Sequence, residues 1–320
     1  MSTTNNLNDA TERDLKAHFD VKSLGQPNLL LGMKIHQGDH IITLSQTHYI
    51  DALLEKFGLA NANLVSTPMD TNVKLEATTE GKEDEEQGEK DEKITHGYAT
   101  LIGSLMYLAI GTRPDIAFAV NKLAQFTQNP RQIHWTAVKR VFRYLKYTRT
   151  HKLTYGGDDD LLNTDFNIFC DADWASDASD RKSVSGYVIT MAGGAVSWSS
   201  KKQTSVALST AEAEYIAATH VAKQVLWQRS LFTELDFEIP TTSTIFTDNQ
   251  AAISISHHPE FHSRTKHIDI AYHFLRDLVE SGTLDIIYIP SRENLADILT
   301  KGLARVLHEE LTYGIGVMLE

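Results

Sequence analysis

Only one cysteine, Cys170, stands in the 320 residues, so no internal disulfide can form. It sits in the apolar run Ile168-Phe169-Cys170 and reads as a small buried strand residue rather than a reactive thiol. A lone thiol fits a reducing compartment. No run of 18 apolar residues occurs, which argues against a membrane span. Residues 1–14 are polar and lack the apolar core of a signal peptide. Basic charge is also short, with 30 Lys+Arg against 42 Asp+Glu and a net charge of −12. That balance argues at first against a nucleic-acid partner. The deficit is uneven, however. Glu80 to Lys93 alone holds eight acids and three lysines, hence −5. This run has no apolar residue and reads as a solvated, disordered insert. Overall charge therefore does not decide the partner.

What is present is an ordinary soluble composition, 42% hydrophobic and 22% charged, long enough for two domains. Residues 1–14 read as a loose leader. The segments 29–35 and 41–44 flank Gly38-Asp39 and predict a β-hairpin. Ser45 then suits an N-cap, with Tyr49, Leu53 and Phe57 at helical spacing and Gly58 as the C-cap glycine. Three helices are predicted over 98–110, from Pro114 to before Pro130, and over 132–147. In the third, Val138, Val141, Phe142 and Leu145 form an apolar stripe. Lys139, Arg140, Arg143 and Lys146 lie largely off it, as a solvated face or a track for phosphates. Tyr155-Gly156-Gly157-Asp158-Asp159-Asp160 reads as a polar linker. The remainder predicts strands over 166–171, 184–191, 194–199, 243–248 and 284–289, with a tight turn at Gly193-Gly194 and a long helix over 210–235. Such an order implies an α/β mixed sheet with helices on its faces.

Acids fall at the ends of these elements. Ile168-Phe169-Cys170 runs into Asp171, and a carboxylate ending a buried strand is costly unless something neutralises it. Asp173 shares its side of the strand but lies nearer the loop, so Asp171 is preferred. Ser209-x-x-Glu212 fits a capping box. Glu214 lies about 200° further round that helix. It shares a face with Ala217, Ala218, Val221 and Val225, so it points inward. Asp248 ends a strand and Asp297 lies near a helix start, where each alone could be a cap or dipole partner. Together the four acids can converge at one sheet edge. That chemistry suits two divalent ions: one activates the attacking water, the other stabilises the leaving oxygen. Mg2+ or Mn2+ fits an all-oxygen donor set, and no Cys/His spacing suggests zinc. His257, His258, His262, His267 and His273 read as surface or packing residues, His267 being the best exception.

These residues carry a resemblance. The motifs DADWA (171–175), SGY (185–187), WSSKKQ (198–203), ALSTAEAEY (207–215), TDNQAA (247–252), RTKHIDI (264–270) and ADILTK (296–301) resemble the ribonuclease H domain of copia-type long-terminal-repeat retrotransposon Pol polyproteins. Upstream, LGMKI (31–35), LSQTHYI (44–50), STPMD (66–70), IGSLMYLAIGTRPDIAFAV (102–120) and HWTAVKRVFRYLK (134–146) are similar to the end of the reverse transcriptase and its connection. The resemblance implies a ribonuclease H-like fold behind an N-terminal, mostly helical connection module carrying a β-hairpin. The segments implied are a leader (1–14), the end of the reverse transcriptase-like region (15–72), an acidic disordered insert (73–94), a helical connection (95–157), a ribonuclease H-like domain (165–302) and a C-terminal tail (303–320).

The resemblance also implies metal-dependent cleavage of RNA in an RNA–DNA hybrid by Asp171, Glu214, Asp248 and Asp297. It implies an upstream reverse transcriptase portion as partner, no membrane, and an intracellular setting in cytoplasmic virus-like particles with the nucleus as a second location. The family's polymerase aspartates are expected before Met1, so no polymerase centre is expected in this chain. Hybrid contacts are expected from Arg181, Lys182, Lys201, Lys202, Lys266 and His267, and from the stripe of Lys139, Arg140, Arg143 and Lys146. One departure stands out: the loop 290–295 lacks the histidine that cellular ribonucleases H often carry before the last acid. The competing readings are a DNA nuclease or transposase on the same fold, and a catalytically idle remnant that binds nucleic acid.

Overall fold

The computed structural model describes residues 5–22, 25–73, 75, 88–156, 166–175, 180–257 and 266–319. Polar residues at the start do not stay loose. Asn5–His18 forms α1, with Lys16 and Glu12 paired at 2.6 Å across one turn. Opposite charges four apart support a helix that has little apolar surface to bury, which corrects the leader reading.

Three short strands follow: β1 (Leu29–Leu30), β2 (Met33–Gly38) and β3 (Ile41–Ser45). The predicted hairpin is β2–β3, paired from Gly38↔Ile41 to Lys34↔Ser45. Helix α2 (Thr47–Lys56) has Gln46 at its N-cap position, one residue later than Ser45, though the Ser45 hydroxyl accepts from Thr47 N at 3.2 Å, and Gly58 takes φ +65° behind it. Next comes α3, Gly88–Gly111. It starts well before residue 98 and corrects the insert boundary. Of the acidic run, residues 80–87 lie outside the described residues. A turn at Pro114–Ile116, α4 (Ala117–Ala124) and α5 (Gln132–Tyr147) complete a helical layer. Its core is built from Leu101, Leu105, Leu108, Leu123, Val141 and Phe142, among others.

The segment read as a linker opens with a strand, β4 (Lys152–Gly156), while Gly157 to Asp160 lie outside the described residues. Five strands of the second module match the predicted runs: β5 (Asn167–Asp173), β6 (Val184–Met191), β7 (Gly194–Lys202), β8 (Ser243–Thr247) and β9 (Leu284–Tyr288). The β6–β7 turn is centred on Ala192 and Gly193, at φ +50° and +77°, so Gly194 already belongs to β7. Left-handed φ at both central residues is what a two-residue hairpin with the correct twist needs. Helix α6 spans Thr210–Glu234, followed by α7 (Gln250–His257) and α8 (Lys266–Glu280). The tail is not separate: α9 (Arg305–Gly314) leads into β10 (Val317–Met318).

Two five-stranded sheets result. The first has the order β1-β2-β3-β4-β10 and the second β7-β6-β5-β8-β9. In the second, β5, β6 and β7 are antiparallel and β8 and β9 run parallel to β5. This meander followed by two parallel strands is the ribonuclease H-like fold. Helices α6 and α8 cover one face around Ile168, Tyr215, Val221 and Leu275. The other face meets Leu299, Leu311 and Val317 together with Leu153 of β4, so one core serves both sheets.

Backbone bonds lock the modules together. Gly156 donates to Ala192 at 2.8 Å, and Ala195 donates to Ile315 at 3.0 Å. Trp198 donates its indole N–H to Ala109 O at 2.8 Å. A buried ion pair lies at the same junction. Arg113 grips Asp115 through two bonds of 2.9 and 2.6 Å and also reaches Thr148. Tyr144 donates to Asp115 at 2.7 Å, and His308 of α9 meets the Asp115 carbonyl at 3.4 Å.

Candidate functional site

The site is built where β5 and β8 end. Asp171 sits within β5 and is 2% exposed. Opposite it in register is Gly186. A Cβ there would lie 2.6 Å from Thr300 Cγ2 and 2.9 Å from Leu299 Cβ. Only glycine therefore lets the turn Leu295–Leu299 lie against the sheet and bring Asp297 in. That turn is pinned by Asn294, fully buried, whose amide donates to Cys170 O at 3.0 Å and whose oxygen accepts from Ala296 N at 3.1 Å. Sequence reasoning missed Asn294; a cap residue three before an acid was the available signal.

Glu214 and Glu212 divide as the helix geometry predicts. Ser209 Oγ accepts from Glu212 N at 3.2 Å, while the Glu212 carboxylate returns to Leu208 N, one residue earlier than a standard box. Glu214 faces the sheet, accepting from Ala172 N at 3.1 Å and from the Thr247 hydroxyl at 3.4 Å. Asp248 follows β8 and accepts from Ser291 Oγ at 2.5 Å. Asn249, not Asp248, caps α7 by accepting from Ala252 N at 3.0 Å. Among the described residues, Asp171, Glu214 and Asp248 offer carboxylate oxygens within 4.8 Å of one another. Asp173 is half-buried and stands outside that group.

Asp297 reaches the group through a cation. Lys301 Nζ lies 3.0 Å from Asp297 and 3.6 Å from Asp171, and Thr300 donates its hydroxyl to Asp171. Lys301 closes the ADILTK motif, and sequence reasoning missed its role; its i,i+4 spacing from Asp297 was the signal. One ammonium does not balance the acids. Burial, reinforced by the neighbouring Asp171 charge, pushes Glu214 up to about 9. Burial and Asp171 push Asp297 up to about 7. Burial also raises Asp171, against the pull of Lys301. Cys170 is buried on the same strand and its thiol is pushed up by burial, so it stays an inert packing group.

The cationic residues fare differently. Arg181 and Lys201 are exposed and Lys182 is half-buried. Lys202 pairs with Asp180 at 3.0 Å and touches Gln125 at 3.3 Å. Lys266 and His267 open α8, but their side chains, like His258 and His262, lie outside the described residues. On α5 the basic stripe has partners within the chain. Arg140 binds Thr67 at 3.0 Å and Asp70 at 3.4 Å; Arg143 donates to Asn63 O at 2.6 Å; Lys146 donates to Ala62 O at 2.9 Å. Three of the four cations tie down the loop after α2, whose carbonyls need donors. Lys139 stands over the Trp135 ring.

No helix of the described residues is long and apolar enough to cross a membrane. Residues 2–71 match the family model "Reverse transcriptase (RNA-dependent DNA polymerase)". The chain is 42% identical over 294 residues to the Retrovirus-related Pol polyprotein from transposon TNT 1-94 of Nicotiana tabacum, covering 91% of this chain and 22% of that one. It is 32% identical over 219 residues to the Putative transposon Ty5-1 protein of Saccharomyces cerevisiae, covering 68% and 67%. The chain spans about a fifth of the length of the curated Pol polyproteins it matches. A solved structure, LC11-RNase H1 in complex with an RNA/DNA hybrid, matches at 16% identity and TM-score 0.31, covering 42% of this chain and 94% of that one. With these relatives, the chain belongs to the copia-type retrotransposon Pol polyprotein family.

Proposed function

We propose that the second module is a ribonuclease H that cleaves the RNA strand of RNA–DNA hybrids during retrotransposon reverse transcription, using two Mg2+ or Mn2+ ions. The observation that carries this reading is the convergence of three carboxylates from β5, α6 and the end of β8 within 4.8 Å. The donor set fits a hard divalent ion: it is all oxygen, largely buried, and short of positive charge. Asp171, Glu214 and Asp248 would hold it, with Asp297 completing the set beside Lys301. Bound there, divalent ions supply an activated water and a stabilised leaving oxygen.

The chain's own residues do the positioning. Ala172 N–H and Thr247 orient Glu214, Thr300 orients Asp171, and Ser291 orients Asp248. Lys301 holds Asp297 and offsets part of the repulsion. Arg181, Lys182, Lys201, Lys266 and His267 are the proposed backbone and 2′-hydroxyl contacts, suited to a nuclease that reads shape rather than sequence. The upstream reverse transcriptase would deliver the hybrid, in the reducing interior of the cell. Residues 15–150 would steady it rather than polymerise. Primer extension on an RNA template should accordingly give no incorporation above a no-enzyme control.

Cleavage of matched hybrid, duplex RNA and duplex DNA, with Mg2+ or Mn2+ and with chelator, tests the reading. RNA-strand cleavage of the hybrid alone, abolished by chelator, is expected. Cleavage of duplex DNA, or activity in chelator, would overturn it.

A further inference from the structure

The four acids of the site are not equivalent, and the difference bears on where two ions could go. Asp171, Glu214 and Asp248 form a compact trio that can share one ion. A second ion would have to draw on the remaining acid, Asp297, together with an oxygen shared from Asp171. The space between those two is taken. Lys301 Nζ stands in it, 3.6 Å from Asp171 Oδ2 and 3.0 Å from Asp297 Oδ1. A divalent ion about 2.1 Å from the same oxygens would lie against the ammonium, at a heavy like-charge cost.

The bland alternative is a permanent ion pair that merely neutralises Asp297. A buried pair that lasts is held by well-aligned bonds, as Arg113 holds Asp115 through two of 2.9 and 2.6 Å. Lys301 is held differently. Asp297 is 4% exposed, yet its Oδ1 accepts no hydrogen bond among the described residues, so the contact is close but poorly aimed. A buried carboxylate oxygen in that state is an acceptor still to be satisfied. The Lys301 side chain is also 35% exposed, beside two nearly enclosed carboxylates, which gives it a way out. It lines a neighbouring cleft of about 350 Å³ whose walls carry Asp70 and Asp173. Its backbone N–H is bonded to Asp297 O at 3.2 Å, and the flexible four-carbon stem lets the head swing while that anchor holds.

We infer that Lys301 is an exchangeable stand-in for the second ion. In the metal-free chain it holds Asp171 and Asp297 together. It withdraws toward the cleft of Asp70 and Asp173 when a second divalent ion enters, one cation replacing another. The inference rests on the two-ion nuclease reading and makes Lys301 a positioning residue that sets the affinity of the second ion.

Two measurements on the full chain test it. The first reads the lysine in wild-type protein. Metal-free chain is treated briefly with acetic anhydride, with and without saturating Mg2+, and acetylation of Lys301 is followed by peptide mass spectrometry against exposed Lys201. Lys301 should react several-fold faster with the ion, while Lys201 keeps its rate. An unchanged Lys301 rate would overturn the inference. The second is calorimetric titration with Mn2+ of wild type, Lys301→Gln and Lys301→Arg, with melting temperatures as the folding control. Wild type should take one ion more tightly than the other. Lys301→Gln should bind the weaker ion roughly tenfold more tightly or better, because a neighbouring unit charge has gone. Lys301→Arg keeps the charge and should bind it no better than wild type. Equal or weaker binding of that ion in the glutamine variant would also overturn the inference, since it marks Lys301 as a support the ion needs. Exchange seen in both measurements without cleavage of the hybrid keeps this inference and sinks the nuclease reading. Chelator-sensitive cleavage with an unmoved Lys301 does the reverse.

Discussion

Two clusters of buried charge sit in this molecule, and they are built on opposite plans. Around Arg113 every charge has its counterpart. Burial alone would raise Asp115, but Arg113 and the Tyr144 hydroxyl outweigh it and hold the carboxyl below its usual range. Around Asp171 the acids outnumber the cations, and Glu214, Asp297 and Asp171 are all pushed upward. The balanced cluster stitches the connection helices to α9 and has no charge left over for a ligand. The unbalanced one carries a standing deficit that a divalent ion would fill. Strength of burial does not separate the two; the sign of the imbalance does.

The largest expected effect breaks the unbalanced cluster. Asp171→Asn or Glu214→Gln should lower hybrid cleavage roughly a hundredfold or more, because metal stabilisation of the transition state is worth several kcal/mol. Asp173→Asn and Glu212→Gln should be far milder, glutamine still serving at the cap. Steady-state rates on the hybrid, with melting curves as the folding control, decide this. Equal loss in both members of either pair would undo the assignment.

Breaking the balanced cluster should act on stability instead. Arg113→Ala leaves Asp115 buried and unpaired, which costs about 3–5 kcal/mol. Denaturant midpoints measure it. A loss below about 1 kcal/mol would show that water reaches the pair.

Opposite pH responses sharpen the contrast. Glu214 has its carboxyl near 9 in the folded chain against an ordinary 4.5. The folded state therefore binds that proton more tightly than the unfolded one. The stability it gives is complete below about 4.5 and lost as pH rises toward 9. Asp115 is depressed, so its contribution is present above its ordinary value and lost as pH falls. In chelator, Glu214→Gln should flatten the alkaline side of the stability profile and leave the acid side alone. A flattened acid side would show that the two clusters had been mistaken for each other.

The smallest effect concerns the exposed cations of the second module. Lys201→Gln should weaken hybrid binding modestly and lower the salt slope by about 0.9. An unchanged slope returns Lys201 to plain surface.

Sequence and structure agree where local pattern governs. Apolar runs that end in an acid gave β5 and β8, and the phase of Ser209, Glu212 and Glu214 on α6 separated cap from site. They part where distant pairing governs. Strand β4 is five residues long and β10 two, and neither carries a pattern of its own. β4 is a strand because β3 and the β6–β7 turn offer it backbone partners, and β10 is one because β4 does. The basic stripe on α5 was visible as charge, but its use depends on carbonyls some 80 residues away in sequence, at Asn63 and Ala62. Arg113 and Asp115 gave no sign of burial for the same reason: their partners, Tyr144, Thr148 and His308, come from α5, its C-cap and α9.

The central claim is that Lys301 alone leaves the acids of the Asp171 cluster short of positive charge, and one titration tests it directly. Melting temperature is followed at pH 8 as Mg2+ or Mn2+ is added to metal-free protein, for wild type and for Glu214→Gln. Wild type should start lower and climb with the ion, as binding to the folded state requires. Glu214→Gln should start higher and respond weakly. A wild-type melt that ignores divalent ions, or a variant that starts lower and climbs as steeply, would contradict the account.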